Sequence, residues 1–337
     1  MTGPPGDGCE NAPDSELGGR ESEASEVEAL PDRVARYSRA RASALSMLSH
    51  LAKITNLQFC KSTPGSAFHP QRAAQKLENC GNWLVFAHYS NIDAVRLTRA
   101  SFCKEHLLCP LCAIRRGAKL LGAYLARFEA LVAADPSLKP YLLTVTVKNG
   151  PDLAERFEHL RRGWRLLRKR RSRARDKGVL RQVAGAVTSF EFTNRGEGWH
   201  PHLHSIVLAR SEPSQAALQA EWHQTTGDSF IVDVRPFTEA EGPVGGFLEV
   251  FKYAVKFGDL TPEDRWTAFQ VLRGRRLLSS FGCFRGIDPP DELTDQVLDD
   301  EPYVELFYRY SFRARGYDFV GRGPARAAAS AQGSARL

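Results

Sequence analysis

Residues 199–204 read Trp199-His200-Pro201-His202-Leu203-His204. On an extended strand, side chains two apart point to the same face. His202 and His204 therefore present two imidazoles side by side, and a strand is expected over His202–Leu208. Its hairpin partner is expected at Ala186–Phe192, across the turn-prone Asn194-Arg195-Gly196-Glu197-Gly198. Glu191 lies on that partner strand, and its neighbours Phe190 and Phe192 face the opposite way. Two histidines and a carboxylate form a ligand set that leaves coordination positions open for substrate oxygens. An isolated His-x-His is more often two solvated imidazoles; the facing glutamate shifts the balance towards a metal. His200 follows the same alternation, but Pro201 and the nearby turn make it a weaker ligand.

Outward from this hairpin the pattern repeats. Tyr141, Leu143, Val145 and Val147 alternate with Leu142, Thr144 and Thr146, which is a strand. Asp152, with Glu155 three residues on, opens a helix in the manner of a capping box. The stripe Leu153, Phe157, Leu160, Trp164 and Leu167 gives that helix its buried side. Beyond the histidines come a helix at Pro213–Thr226, a strand at Phe230–Arg235 and a helix at Phe247–Phe257 stopped by Gly258. The order strand–helix–strand–strand–helix–strand predicts an α+β fold with a ferredoxin-like, split-βαβ antiparallel sheet and helices on one face.

The last of those helices carries a second set of reactive groups. Glu249, Lys252, Tyr253 and Lys256 are spaced by three and four and share one face, while Leu248, Phe251, Ala254 and Val255 form the other. Two lysines beside a tyrosine favour the phenolate and hold a phosphate nearby. Glu249, one turn earlier, is placed to act as a general base. Alone, such a face is more often merely solvated; its weight comes from the histidine strand that precedes it.

Composition narrows the partner. The 337 residues carry a formal net charge of +7, although the first 30 are acidic. A basic body favours nucleic acid first and an anionic surface second. The densest charge run includes Arg165, Arg168, Lys169, Arg170 and Arg171. With almost no acids among them, these cations are expected to lie on a DNA backbone, which gives affinity but no sequence information.

No apolar run reaches the 18 or so residues of a membrane span, and Met1–Leu30 lacks the basic end and apolar stretch of a signal peptide. A cytoplasmic protein without membrane contact is expected. Seven cysteines in such a chain suggest metal ligands or buried thiols rather than disulfides. Cys103, Cys109 and Cys112 lie in Cys-x5-Cys-Pro-Leu-Cys, and with Cys80 upstream they make a tetrahedral zinc set. Cys60 and His106 compete with Cys80 and Cys103 for places.

The expected layout is a disordered acidic N-terminus at 1–30 and a helical, Cys-rich zinc-binding region at 31–135. A catalytic domain follows at 136–262, then an extension without assigned role at 263–320 and a disordered tail at 321–337. The part of the second region between its first helix and Arg116 reads as irregular.

Taken together, Tyr141–Val147, Trp199–His204 and Lys252-Tyr253-Ala254-Val255-Lys256 resemble the three ordered motifs of the HUH endonuclease superfamily. The branch matched is that of single-tyrosine rolling-circle plasmid replication initiators with an upstream Cys-rich segment, whose Cys-Pro-x-Cys is followed by arginines, here Arg115 and Arg116. The likeness covers roughly Cys80 to Asp259. It implies a site-specific nickase and strand transferase with an HUH palm fold. His202, His204 and Glu191 would bind Mn2+ or Mg2+, and Tyr253 would keep the 5′ phosphate of single-stranded origin DNA. Glu249 would activate water for the finishing cleavage. Host helicase and polymerase are the implied partners. Other readings are a single-tyrosine transposase, a relaxase (which usually has its tyrosine ahead of the histidines), or a non-catalytic zinc-containing DNA-binding protein.

Overall fold

The chain is built on two antiparallel sheets, seen in a computed structural model that describes residues 30–58, 70–171, 178–238, 242–251 and 260–328. In chain order the elements are α1 (Leu30–Gln58), α2 (Pro70–Glu78), β1 (Trp83–Tyr89), β2 (Ala94–Ala100), α3 (Pro110–Ala134) and β3 (Lys139–Thr146). There follow α4 (Leu153–Arg171), β4 (Val183–Asn194), β5 (Trp199–Ala209), α5 (Gln215–Thr226), β6 (Val232–Pro236) and α6 (Gly242–Phe251). The last are α7 (Pro262–Leu272), β7 (Leu278–Gly282), β8 (Tyr303–Ser311) and β9 (Gly316–Arg326).

The larger sheet has the order β6-β3-β5-β4-β7, with every neighbouring pair antiparallel. Its central strands are those the alternation predicts, because each has one face on a core and so keeps a period of two. Phe190, Phe192 and Leu203 turn to one side, where Phe157 of α4 packs edge-on against Phe190 and at a tilt against Phe192. The Asp152 carboxylate accepts from the amides of Ala154 and Glu155 at 2.7 and 3.1 Å, so α4 starts where its cap predicts. Trp222 of α5 is fully buried and donates its indole N–H to the Thr146 carbonyl.

The expectation of helices on one face alone does not hold. Leu142, Val187, Ile206 and Leu208 belong to the opposite face, and α3 and α6 cover them with Leu121, Tyr124, Phe128, Phe247 and Val250. The reason lies in the strands: their C-terminal or N-terminal halves are apolar on both faces, which an open face would leave wet.

Residues 70–100 are also not irregular, since they form α2, β1 and β2. The partners that make β1 and β2 a sheet come from the far end of the chain, in the order β2-β1-β8-β9. β9 runs to Arg326, into the stretch expected as a disordered tail, because pairing with β8 gives it partners that its own composition does not reveal. Residues 263–320 thus supply strands to both sheets. A buried knot ties this segment down. Asp295 takes ion pairs from Arg115 at 2.6 Å, Lys119 at 3.0 Å and Arg33 at 3.1 Å, and accepts from the Leu97 amide at 2.9 Å. Among the described residues no helix is long and apolar enough to cross a membrane.

Candidate functional site

Glu191 stands directly opposite His202 in the β4–β5 register, and Ser189 stands opposite His204. All four side chains therefore share one face, and the β3 register adds Thr144 opposite His204 and Thr146 opposite His202. Glu191 Oε2 is 2.8 Å from His202 Nε2 and 3.6 Å from His204 Nε2. One ligand atom from each of the three lies within 4.8 Å of the others. The Glu191 side chain is wholly buried, whereas the histidines keep 12% and 13% of theirs exposed, so the group opens to solvent on the imidazole side.

The donor set fits a divalent ion. Burying a carboxylate is costly unless a cation or proton compensates it, and here two imidazole nitrogens converge on the same oxygen. His204 Nδ1 meets the Thr144 hydroxyl at 3.0 Å, which leaves Nε2 for coordination when the Nδ1 proton is donated to that hydroxyl. The buried Nδ1 of His202 has no hydrogen-bond partner among the described residues. His200 stays apart from the trio, in line with its weaker standing in the sequence. It meets Asn149 Oδ1 at 2.6 Å, and burial, with His202 and Arg195 nearby, holds it below the usual imidazole range.

α6 packs across β4 and β5 on this same face, at the apolar end, through Phe247 and Val250. Glu249 is half-buried on α6. The buried side of the described part is Gly246, Phe247, Val250 and Phe251, with Leu248 half-covered. Lys252, Tyr253 and Lys256 lie outside the described residues.

The second cluster is sulfur. Cys80 Sγ lies 3.5 Å from the sulfurs of both Cys109 and Cys112, and Cys103 Sγ lies 3.5 Å from that of Cys112. Four sulfurs about 2.3 Å from a zinc ion stand about 3.8 Å apart in a tetrahedron, so this set needs only a slight expansion to hold one. Cys109 caps α3 and Pro110 begins it, the Cys-Pro turn directing Cys109 and Cys112 to one point. Hydrogen bonds among the thiols push Cys109 down and Cys103 and Cys112 up, so the sulfurs act as one group and the case for a metal rests on their geometry. His106 is not in the group; burial, with Arg116 beside it, lowers it to about 4. Cys60 lies outside the described residues.

The basic helix divides. Arg168 and Arg171 lie over the Phe281 ring at 4.6 and 5.2 Å, and Arg171 also donates to the Val183 carbonyl at 2.9 Å. These two cations hold α4 against β7. Arg165 and Lys169 are exposed and Arg170 half-buried. Lys169 and Arg170 also line a cavity of about 180 Å³ with Gln224 and Thr225 of α5. Arg115, expected only as part of a motif, is buried on Asp295 and the Tyr37 hydroxyl. Thr144, Ser189 and Asn149 were missed by sequence reasoning. The strand register puts Thr144 and Ser189 beside His204, and the bridge between Gly150 and Trp199 brings Asn149 to His200; neither pairing can be read from the sequence.

A protein named Protein rep from Streptococcus pneumoniae is 28% identical over 250 residues, covering 68% of this chain and 75% of that protein. Proteins of the same name from a Bacillus species and from Lactiplantibacillus plantarum are each 27% identical, over 272 and 258 residues. They cover 68% and 69% of this chain and 84% and 79% of their own lengths. No solved structure matches it. The family described as replication proteins matches residues 94–309, which span β2 through most of β8 and include both clusters apart from Cys80. The chain belongs to that family of replication proteins.

Proposed function

We propose that this protein is a plasmid rolling-circle replication initiator that nicks single-stranded origin DNA through Tyr253. The observation that carries the reading is the convergence of Glu191, His202 and His204 on one face of β4 and β5, with α6 packed across those same strands. The strand order β6-β3-β5-β4, joined as strand–helix–strand–strand–helix–strand, supports a ferredoxin-like palm of the HUH type.

His202, His204 and Glu191 hold Mn2+ or Mg2+. Bound there, the ion supplies Lewis-acid stabilisation of charge on the phosphate oxygens. The Tyr253 phenolate attacks the scissile phosphorus, forming a P–O bond as the bond to the 3′ oxygen breaks. The 3′ oxygen leaves with the electron pair, takes a proton and becomes the hydroxyl that primes the polymerase. Tyr253 keeps the 5′ phosphate. Lys252 and Lys256 favour the phenolate and hold the phosphate. Glu249 acts as general base when strand transfer or water ends the cycle. Cys80, Cys103, Cys109 and Cys112 hold a structural Zn2+, and Arg165, Lys169 and Arg170 contact the DNA backbone. The protein works in the cytoplasm beside host helicase and polymerase.

The test uses end-labelled single-stranded DNA from the replicon's own origin with Mn2+. A covalent protein–DNA band is expected from the wild type and none from Tyr253→Phe. An adduct that survives the substitution would move the nucleophile elsewhere. No adduct from the wild type on either origin strand would favour a non-catalytic DNA-binding protein.

A further inference from the structure

β9 is an edge strand of the smaller sheet, and most of its length from Asp318 to Arg326 is exposed. Large apolar groups stand bare on it and on the turn before it: Phe312 is 60% exposed, Phe319 51% and Val320 66%. An exposed edge with bare aromatics invites aggregation, so the cluster calls for an occupant. The charge around it is one-sided. Arg309, Arg313, Arg315, Arg322 and Arg326 are exposed, and none is held in an ion pair among the described residues. Against them stand exposed Asp318 and Glu305, which is buried and already paired with Arg99 at 2.8 Å. Arginines alone would protect an edge strand, but they do not account for two exposed phenylalanines beside them.

The hairpin is anchored beside its turn, where Tyr310 and Tyr317 stand opposite each other. The Tyr317 hydroxyl donates to the Gly81 carbonyl, the Tyr317 amide to Ser38 Oγ at 3.0 Å, and the Tyr310 amide to the Asn82 carbonyl at 2.9 Å. At the tip, the Ala314 amide donates to Ser311 Oγ, and Arg315 takes a left-handed backbone with φ of 53°. Phe312 and Phe319 each meet a tyrosine ring edge-on, Tyr310 and Tyr308, at 5.5 and 5.4 Å, which sets their orientation. On β8 Phe307 stands opposite Gly321, where an added Cβ would meet nothing within 4 Å. Rigid aromatic faces interleaved with unpaired arginines match unstacked bases joined by phosphates.

We propose that the β8–β9 hairpin is a second DNA-binding element, gripping single-stranded DNA by stacking on Phe312 and Phe319 and by pairing arginines with phosphates. It goes beyond the nicking reading, because its sheet shares no strand with the sheet that carries Glu191, His202 and His204. Binding here needs neither cleavage nor the origin sequence.

The test measures anisotropy of a labelled 20-nucleotide oligo-dT with the full-length protein, without added divalent ion, over a range of salt. Phe312→Ala with Phe319→Ala is expected to weaken binding by about fivefold or more. Arg313→Ala with Arg315→Ala is expected to flatten the log–log salt slope by about 0.7 for each phosphate no longer neutralised. Phe312→Trp should keep the wild-type affinity, with its indole emission quenched by the bases. All four sites are exposed, so unchanged thermal melting is expected and separates binding from folding. Unchanged affinity and slope in both double variants would overturn the proposal, as would equal binding of a duplex of the same length. A protein that loses the hairpin effect yet still forms the adduct, or the reverse, tells which of the two readings has failed.

Discussion

The Thr144 hydroxyl lies 3.0 Å from Nδ1 of His204, so the ring is held from β3 while its Nε2 faces Glu191 on β4. Removing an outer partner of a ligating histidine typically costs about 10–100-fold in metal affinity or activity. Thr144→Val is therefore expected to weaken Mn2+ binding by about that factor without unfolding β3, where Val fits the strand as well as Thr does. Thr144→Ser should recover most of the loss. Titration of Mn2+ by electron paramagnetic resonance checks both, and equal affinity in all three proteins would mean that Thr144 does not set the ring.

Asp295 offers a prediction about stability and pH. The Arg115, Arg33 and Lys119 cations hold its carboxyl well below the usual range, against the opposing effect of burial. A depressed folded-state pKa gives stability that is fully present above the unfolded value, about 3.9, and is lost as pH falls through the folded one. Asp295→Asn leaves the buried Arg115 guanidinium without its counter-charge and is expected to cost about 3–5 kcal/mol at neutral pH. Urea unfolding should show the gap between wild type and variant narrowing only below about pH 4. A gap that is constant from neutral pH down to about pH 3 would assign the effect to lost packing instead.

The sulfur cluster predicts metal content. Purified protein is expected to hold one zinc ion per chain by elemental analysis. Cys112→Ser should lose most of it and melt at a lower temperature, since binding energy at a structural zinc site is folding energy. His106→Ala should keep its zinc, because that ring stands outside the group. Zinc lost equally from both variants would place His106 among the ligands after all.

How much of this was legible follows from what each feature depends on. His202, His204 and Glu191 were legible because their relation is local: two residues apart on one strand, one turn away on its neighbour. The strands of the larger sheet were legible because a buried face imposes a period of two. β1 and β2 were not, since the strands that complete their sheet start more than 200 residues later, at Tyr303. Asp295 sits in a stretch with no secondary-structure signal, and only the folded chain brings it to Arg115 and Arg33. Arg168 and Arg171 read as free cations because nothing in a charge run marks the aromatic ring, Phe281, that will lie under them.

The seat of α6 gives the last prediction. A Cβ built on Gly246 would fall 2.3–2.6 Å from three atoms of the Phe237 ring, closer than atoms can approach, so the glycine is what lets the helix lie against that ring. Phe237 also packs edge-on to Phe247, whose ring is fully buried against Phe128 and Phe284. Gly246→Ala must therefore displace either the ring or the helix that carries Glu249. Overpacking of this kind costs about 1–3 kcal/mol. DNA cleavage should fall in Gly246→Ala, while oligo-dT binding at the β8–β9 hairpin stays unchanged. Phe237→Leu added to it should relieve the crowding and recover part of both stability and cleavage. The cycle of single and double variants, followed by urea unfolding and by adduct yield, measures the coupling directly. Strictly additive effects would show that the two residues do not compete for the same space and that α6 is seated by other contacts.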